Sequence, residues 1–126
     1  MKIRVYYEDT DAAGIVYYAN YLKFCERARS EIFFSAGLSP QTEEGYFVVK
    51  GLQADYYEPA KLGDMVEVET KLAERKRASI RLLQRVVRED TLLFEMGIRL
   101  AFVKEGRPAK IPESLYSIIS LWNSES

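Results

Sequence analysis

The side chains best suited to chemistry cluster near the start of the chain, in Glu8-Asp9-Thr10-Asp11-Ala12-Ala13-Gly14. What they can do is narrowed by an absence, because none of the 126 residues is histidine. Ser-His-Asp and Cys-His nucleophile pairs, His-ligated zinc and imidazole acid–base catalysis are therefore excluded. Hydrolytic chemistry has to come from carboxylates, hydroxyls, Lys, Arg or backbone dipoles. A carboxylate such as Asp11 is ionised near neutral pH and can act as a nucleophile or as a general base toward water. An aspartate in a Gly-containing loop can equally be an Asx-turn or helix-capping residue, and turn structure is the role assigned to Asp9. The segment also opens like an EF-hand loop, but positions 5 and 12 hold Ala13 and Asn20, so no metal site is expected.

The surrounding pattern says what must hold this loop. Residues 2–8 read as a short strand, and the small and polar residues after them break it. Roughly 19–36 reads as the one long helix, with Tyr21, Cys25, Ala28 and Ile32 on a stripe widened by Leu22, Phe24 and Phe33. Gly37 is placed to cap its C-terminus. The first N–H groups of such a helix lack internal partners and carry the positive end of its dipole, so they could stabilise an oxyanion. The period then changes to two. Strands are expected over 46–58, over a stretch with Val66, Val68, Thr70 and Leu72 on one face, and over about 78–89. A last strand puts Leu92, Phe94, Met96, Ile98, Leu100 and Phe102 together. Pro112 to about Leu121 reads as a short helix or tail. One helix covering a run of antiparallel strands is an α+β two-layer domain, taken as a single domain over 1–126.

Composition removes further classes. A formal net charge of −1 gives no long-range field for nucleic acid or a membrane surface. No run of 18 apolar residues is present, and no signal-peptide pattern follows Met1, so membrane insertion is not expected and a cytoplasmic location is. Cys25 is the only cysteine. It lies on the apolar helix stripe without a histidine to activate it, and reads as a small core residue. Glu26, on the polar side, is expected to pair with a nearby Arg.

The stretch from Tyr7 through Asp11, Gly14 and Tyr18 to Tyr21, followed by Phe24-Cys25-Glu26-Arg27-Ala28-Arg29, resembles the signature of the YbgC and 4-hydroxybenzoyl-CoA thioesterase family. The resemblance continues through Asp55-Tyr56-Tyr57-Glu58-Pro59-Ala60 and Arg77-Ala78-Ser79 to Arg107-Pro108-Ala109-Lys110-Ile111-Pro112. It implies a hotdog fold, in which a curved antiparallel sheet wraps one long central helix. It also implies dimers with active sites between subunits, often paired into homotetramers, and hydrolysis of acyl-CoA without a cofactor. Contact with acyl carrier protein is a further implied possibility.

By the same resemblance Asp11 is the catalytic carboxylate and the backbone N–H of Tyr18 the oxyanion donor, while Gly14 and Ile15 shape the loop against the acyl group. Tyr18 stands where many members carry His, and a phenol is a poor general base near neutral pH. That substitution keeps open a rival reading, a non-catalytic hotdog module that binds acyl-CoA or a protein partner. Arg75, Lys76 and Arg77 form a basic run where members of the family hold the phosphates of coenzyme A. Three cations suit that task; a solvated hairpin turn is the plainer account of the same run.

Overall fold

The structure is a computed structural model, and it describes residues 1–123. Six strands follow one another across an antiparallel sheet in the order β1-β4-β5-β6-β3-β2: β1 (Lys2–Arg4), β2 (Gln41–Thr42), β3 (Gly45–Tyr56), β4 (Met65–Arg75), β5 (Ser79–Arg88) and β6 (Thr91–Lys104). A short β7 (Arg107–Pro108) pairs with β6. Helix α1 (Asn20–Ser35) packs against β4 and β5, and a short α2 (Glu113–Ile119) touches α1. This is the α+β hotdog arrangement, one long helix held in the curve of a sheet.

Helix α1 forms where the 3.6-residue stripe runs, burying Tyr21, Phe24, Cys25 and Phe33. It stops at Gly37, whose φ of +77° is a conformation that costs glycine little. There the Leu38 N–H donates to the Phe33 carbonyl at 2.8 Å and the Gly37 N–H to Phe34 at 3.0 Å, which satisfies two carbonyls the helix would leave open. The alternation in β4 holds, with Val66 and Val68 buried and Glu69 exposed. Burying side chains of this size stabilises the fold by roughly 1.5–3 kcal/mol each.

Two expectations fail for local reasons. The first strand ends at Arg4 and gives way to a 3-10 turn over Tyr7–Asp9. The Asp9 carboxylate accepts the Tyr6 N–H at 2.9 Å and the Tyr7 carbonyl accepts the Thr10 N–H at 3.1 Å, so local bonds outcompete the ladder. In β6 the register jumps, with Val87 opposite Leu92 and Val86 opposite Phe94. Leu93 is the extra residue. It is buried in the place expected for Leu92, which is left half-exposed.

One polar side chain is fully buried among the described residues. The Gln84 amide donates to the Cys25 carbonyl at 2.9 Å and to Thr70 Oγ1 at 3.1 Å, and its oxygen accepts from Arg29 Nη1 at 3.2 Å. It pins the middle of α1 to β4 and β5. Nothing in the alternation of β5 marked Gln84 for that task.

Candidate active site

The Asp11 loop is shaped by its own backbone. The Asp11 N–H donates to the Ile15 carbonyl at 2.9 Å, and the Asp11 carbonyl accepts from the Gly14 N–H at 3.0 Å. Closing so short a loop needs a left-handed residue, and Gly14 has φ +79°. Asp11 Oδ1 accepts the Ala13 N–H at 2.8 Å, so the Asx-turn weighed from the sequence is present. No partner meets its other oxygen among the described residues, and the side chain is exposed. Asp9 is a brace: its carbonyl accepts the Tyr17 N–H at 3.0 Å and Asn20 Nδ2 at 2.9 Å, which ties the loop to the start of α1.

A second segment backs the loop. Ile15 bridges to Lys61, the Val16 N–H donates to the Ala60 carbonyl at 2.9 Å, and the Leu62 N–H to the Gly14 carbonyl at 3.1 Å. Ala60 is itself held from the helix, because its N–H donates at 3.0 Å to the hydroxyl of buried Tyr21. Burial pushes the Tyr21 phenol up, against the opposing effects of the Ala60 N–H and Arg88. Asp64 closes the turn by accepting the Lys61 N–H at 2.8 Å and Arg88 Nη1 at 2.8 Å. Its burial favours the neutral acid, but the Lys61 N–H and Arg88 prevail and hold its pKa below the ordinary value. The sequence placed Tyr21 on the helix stripe and Ala60 in a signature block but gave neither a part in the site, and Asp64 and Arg88 had none either. Only the pairing of two distant loops gives them a role.

At the helix end the first turn is uncapped by any side chain. The Tyr18 N–H meets no acceptor among the described residues, whereas the Tyr18 carbonyl accepts the Tyr56 hydroxyl at 3.0 Å. The rings form a chain. Tyr17 lies 4.9 Å from Tyr18, Tyr18 6.2 Å edge-on from Tyr56, and Tyr21 stacks on Phe94 at 5.0 Å. Hydrogen bonding to Tyr18 raises the Tyr17 phenol pKa. Tyr18 is 62% exposed and Tyr57 53%, so this aromatic surface is open in a single chain.

Asp11 keeps one carboxylate oxygen free in the loop, and Tyr18 keeps its N–H free just ahead of α1; comparison with known proteins gives the family. Residues 13–95 match the model of the thioesterase superfamily. The chain is also 40% identical to the acyl-CoA thioesterase YbgC of Helicobacter pylori (strain J99), over 95% of this chain and 98% of that one. The chain belongs to the thioesterase superfamily. It is likewise 40% identical to the acyl-CoA thioester hydrolase YbgC of Escherichia coli O6:H1, over 90% of this chain and 89% of that protein. A Thermus thermophilus thioesterase solved in complex with coenzyme A and zinc superposes with a TM-score of 0.82 at 29% identity, covering all of this chain and 95% of that one. The protein is thus a thioester hydrolase, and the reading as a non-catalytic module falls away.

The thioesterase's basic run sits elsewhere. Arg75 ends β4, and Lys76 and Arg77 form the turn into β5, all three exposed. The turn is strapped down. The Tyr116 hydroxyl of α2 donates to the Lys76 and Arg77 carbonyls, the Ile111 N–H donates to the Arg77 carbonyl at 3.0 Å, and the Arg75 guanidinium lies 5.0 Å over the Tyr116 ring. Asp11 and its backing segment adjoin the start of β4, whereas the basic turn lies past its end. Eleven strand residues at about 3.3 Å each separate the two by roughly 30 Å within one chain. Thus Asp11, Gly14 and Ile15 share one bonded loop, Tyr18 follows two residues after Val16, which bridges Thr10, and Arg75, Lys76 and Arg77 do not join them. The Arg partner expected for Glu26 is absent too: its carboxylate accepts the Ser30 hydroxyl at 2.5 Å, and no described Arg lies within salt-bridge distance.

Proposed function

We propose that this thioesterase hydrolyses an acyl-CoA to a free carboxylic acid and coenzyme A, with the Asp11 carboxylate and the Tyr18 N–H as its working groups. The observation that carries the reading is that the exposed Asp11 carboxylate keeps one oxygen free in a loop held by its own backbone bonds, and Tyr18 keeps its N–H free ahead of α1. The free Asp11 oxygen can take a proton from water as the water oxygen adds to the thioester carbon. Alternatively it adds itself, forming an acyl anhydride that water then cleaves. In both routes the carbonyl oxygen becomes an oxyanion, which the Tyr18 N–H and the positive end of α1 stabilise. A well-aimed donor of this kind is worth about 3–4 kcal/mol. Collapse of the adduct breaks the C–S bond and releases the coenzyme A thiolate, which takes up a proton. Gly14 and Ile15 shape the loop against the acyl group.

The complete site, in this reading, needs a second copy. Among the described residues the outer edge of β3 has no strand partner beyond Tyr46, and Val49, Leu52 and Tyr56 along it are exposed. Tyr56 is level with Phe94, at the Asp11 end, and Val48 with Ala101 and Ser79, at the basic-turn end. Two β3 edges joined antiparallel would bring the basic turn of one copy to the Asp11 end of the other. Three strand spacings, about 14 Å, would then separate that turn from the shared seam, a span suited to a long cofactor arm between thioester and phosphates. Arg75, Lys76 and Arg77 would bind those phosphates, and two such dimers would form the tetramer. An acyl carrier protein could present the same thioester in place of coenzyme A.

Steady-state release of thiol from a panel of acyl-CoAs, aliphatic and benzoyl, tests the proposal with wild type and Asp11→Asn in parallel. Saturable turnover that drops at least a hundredfold in the variant is expected. Full activity in folded Asp11→Asn would remove Asp11 from the mechanism. In a single turnover in 18O-water, label found in Asp11 would establish direct attack with water entering at the Asp11 carbonyl, because general-base catalysis leaves Asp11 unlabelled.

A further inference from the structure

At the end of α1 away from Asp11 lies a partly open cavity of about 230 Å³, walled by Phe33, Phe47, Ile80, Leu100 and Trp122, with Glu26, Arg29, Ser30 and Gln41 on its polar side and Tyr46 and Val49 of the β3 edge at its rim. Its size is below the roughly 300 Å³ at which pockets for drug-sized ligands begin, so the occupant is small. The apolar wall is largely aromatic: Phe33 lies 5.9 Å edge-on from Trp122 and 6.3 Å from Phe47. Arg29 is the exception. It is half-buried, and of its five N–H donors one is used, in the 3.2 Å bond to Gln84. Among the described residues no carboxylate lies within salt-bridge distance of it. A half-buried guanidinium with four donors unspent can take a ligand carboxylate at little further desolvation cost, and burial depresses its pKa, with Cys25 and Glu26 opposing. Glu26 is exposed and its carboxylate is engaged by Ser30, so it flanks the cavity without neutralising Arg29 at contact.

We propose that this cavity binds a small carboxylate with an apolar body, the carboxylate on Arg29 and the body between Phe33, Phe47 and Trp122. Such a group could arrive as a free acid or as the far end of a dicarboxylic acyl group whose thioester sits at the Asp11 site of a second copy, because within one chain Asp11 and the cavity lie toward opposite ends of α1. The first source is independent of the proposed reaction, whereas the second rests on it. The fork of Arg29 suits a carboxylate and gives charge-assisted bonds that a neutral amide cannot match.

The chain has one tryptophan, and it lines the cavity, so its fluorescence reports occupancy directly. Titrating the whole protein with octanoate should change Trp122 emission saturably, with affinity about tenfold or more above that of octanamide. Arg29→Gln should erase that preference, and Arg29→Lys should retain part of it. Should Arg29→Gln fail to fold, Glu26→Gln serves in its place: removing that charge should tighten octanoate several-fold and leave octanamide unchanged. For a carboxylate carried on an acyl group, suberyl-CoA should show a lower KM than octanoyl-CoA, and Arg29→Gln should abolish the difference. The proposal is overturned if Trp122 does not respond to octanoate and the two CoA esters have equal KM. It is equally overturned if octanoate and octanamide bind alike. Binding without turnover of any acyl-CoA would uphold the cavity and fail the hydrolase mechanism.

Discussion

Replacing Tyr21 by Phe removes one oxygen atom and tests how the helix holds the Asp11 loop. The ring stays stacked on Phe94, so packing is nearly unchanged. What disappears is the acceptor for the Ala60 N–H, in a setting where Tyr21 is 3% exposed and Ala60 fully buried. Stranding a buried donor costs about 1–3 kcal/mol. In a domain of this length each kcal/mol lowers Tm by about 3–5 °C, so a fall of roughly 3–15 °C is expected in a thermal melt. Ala60 also accepts the Val16 N–H, which links the lost bond to the loop carrying Asp11. Small misplacements of a reacting group are expensive, and kcat should fall by about tenfold. Tyr56→Phe is the control, because its hydroxyl donates to the Tyr18 carbonyl at an exposed position and its loss should cost no more than about 0.5 kcal/mol. A Tyr21→Phe protein with wild-type Tm and kcat would refute the coupling.

Burial pushes the Cys25 thiol up to about 12, with Arg29 opposing. Iodoacetamide should therefore leave it untouched at pH 8 until the protein is unfolded, which mass spectrometry reads. The raised pKa means the unfolded chain releases this proton first. Its stabilising contribution is complete below the ordinary thiol pKa of about 9 and is lost as pH climbs toward about 12, visible in urea melts at stepped pH. Tyr116→Phe frees the basic turn from α2, so KM for acyl-CoA should rise several-fold with kcat held. An unchanged KM would count against that turn as a phosphate site. Gly14→Ala meets no neighbouring atom within 4 Å, but its φ of +79° is costly for alanine. About 1–2 kcal/mol of stability should be lost, with reduced kcat, in denaturation and turnover assays.

Where the governing physics was local, the residues announced the outcome. The helix was readable because its apolar stripe repeats on a period that no strand shares, and its end because Gly37 tolerates a left-handed backbone. The same holds for the alternation through β4 and for Asp11 in a loop ahead of a helix start. Local reading failed where two structures competed for the same residues. Asp9 drew the first strand into a turn, and one extra residue at Leu93 moved the buried position by one. Other features belong to no single segment. Tyr21 matters because β-bridges carry Ala60 to it, Gln84 because three elements meet over it, and Arg29 because the cavity leaves it unpaired. The roughly 30 Å between Asp11 and the basic turn is likewise set by the length and direction of β4, for strand pairing decides at which end of a sheet each motif stands. A sequence records which side chains are available and what each neighbourhood prefers, whereas burial, partners and separation arise only when distant segments close on one another.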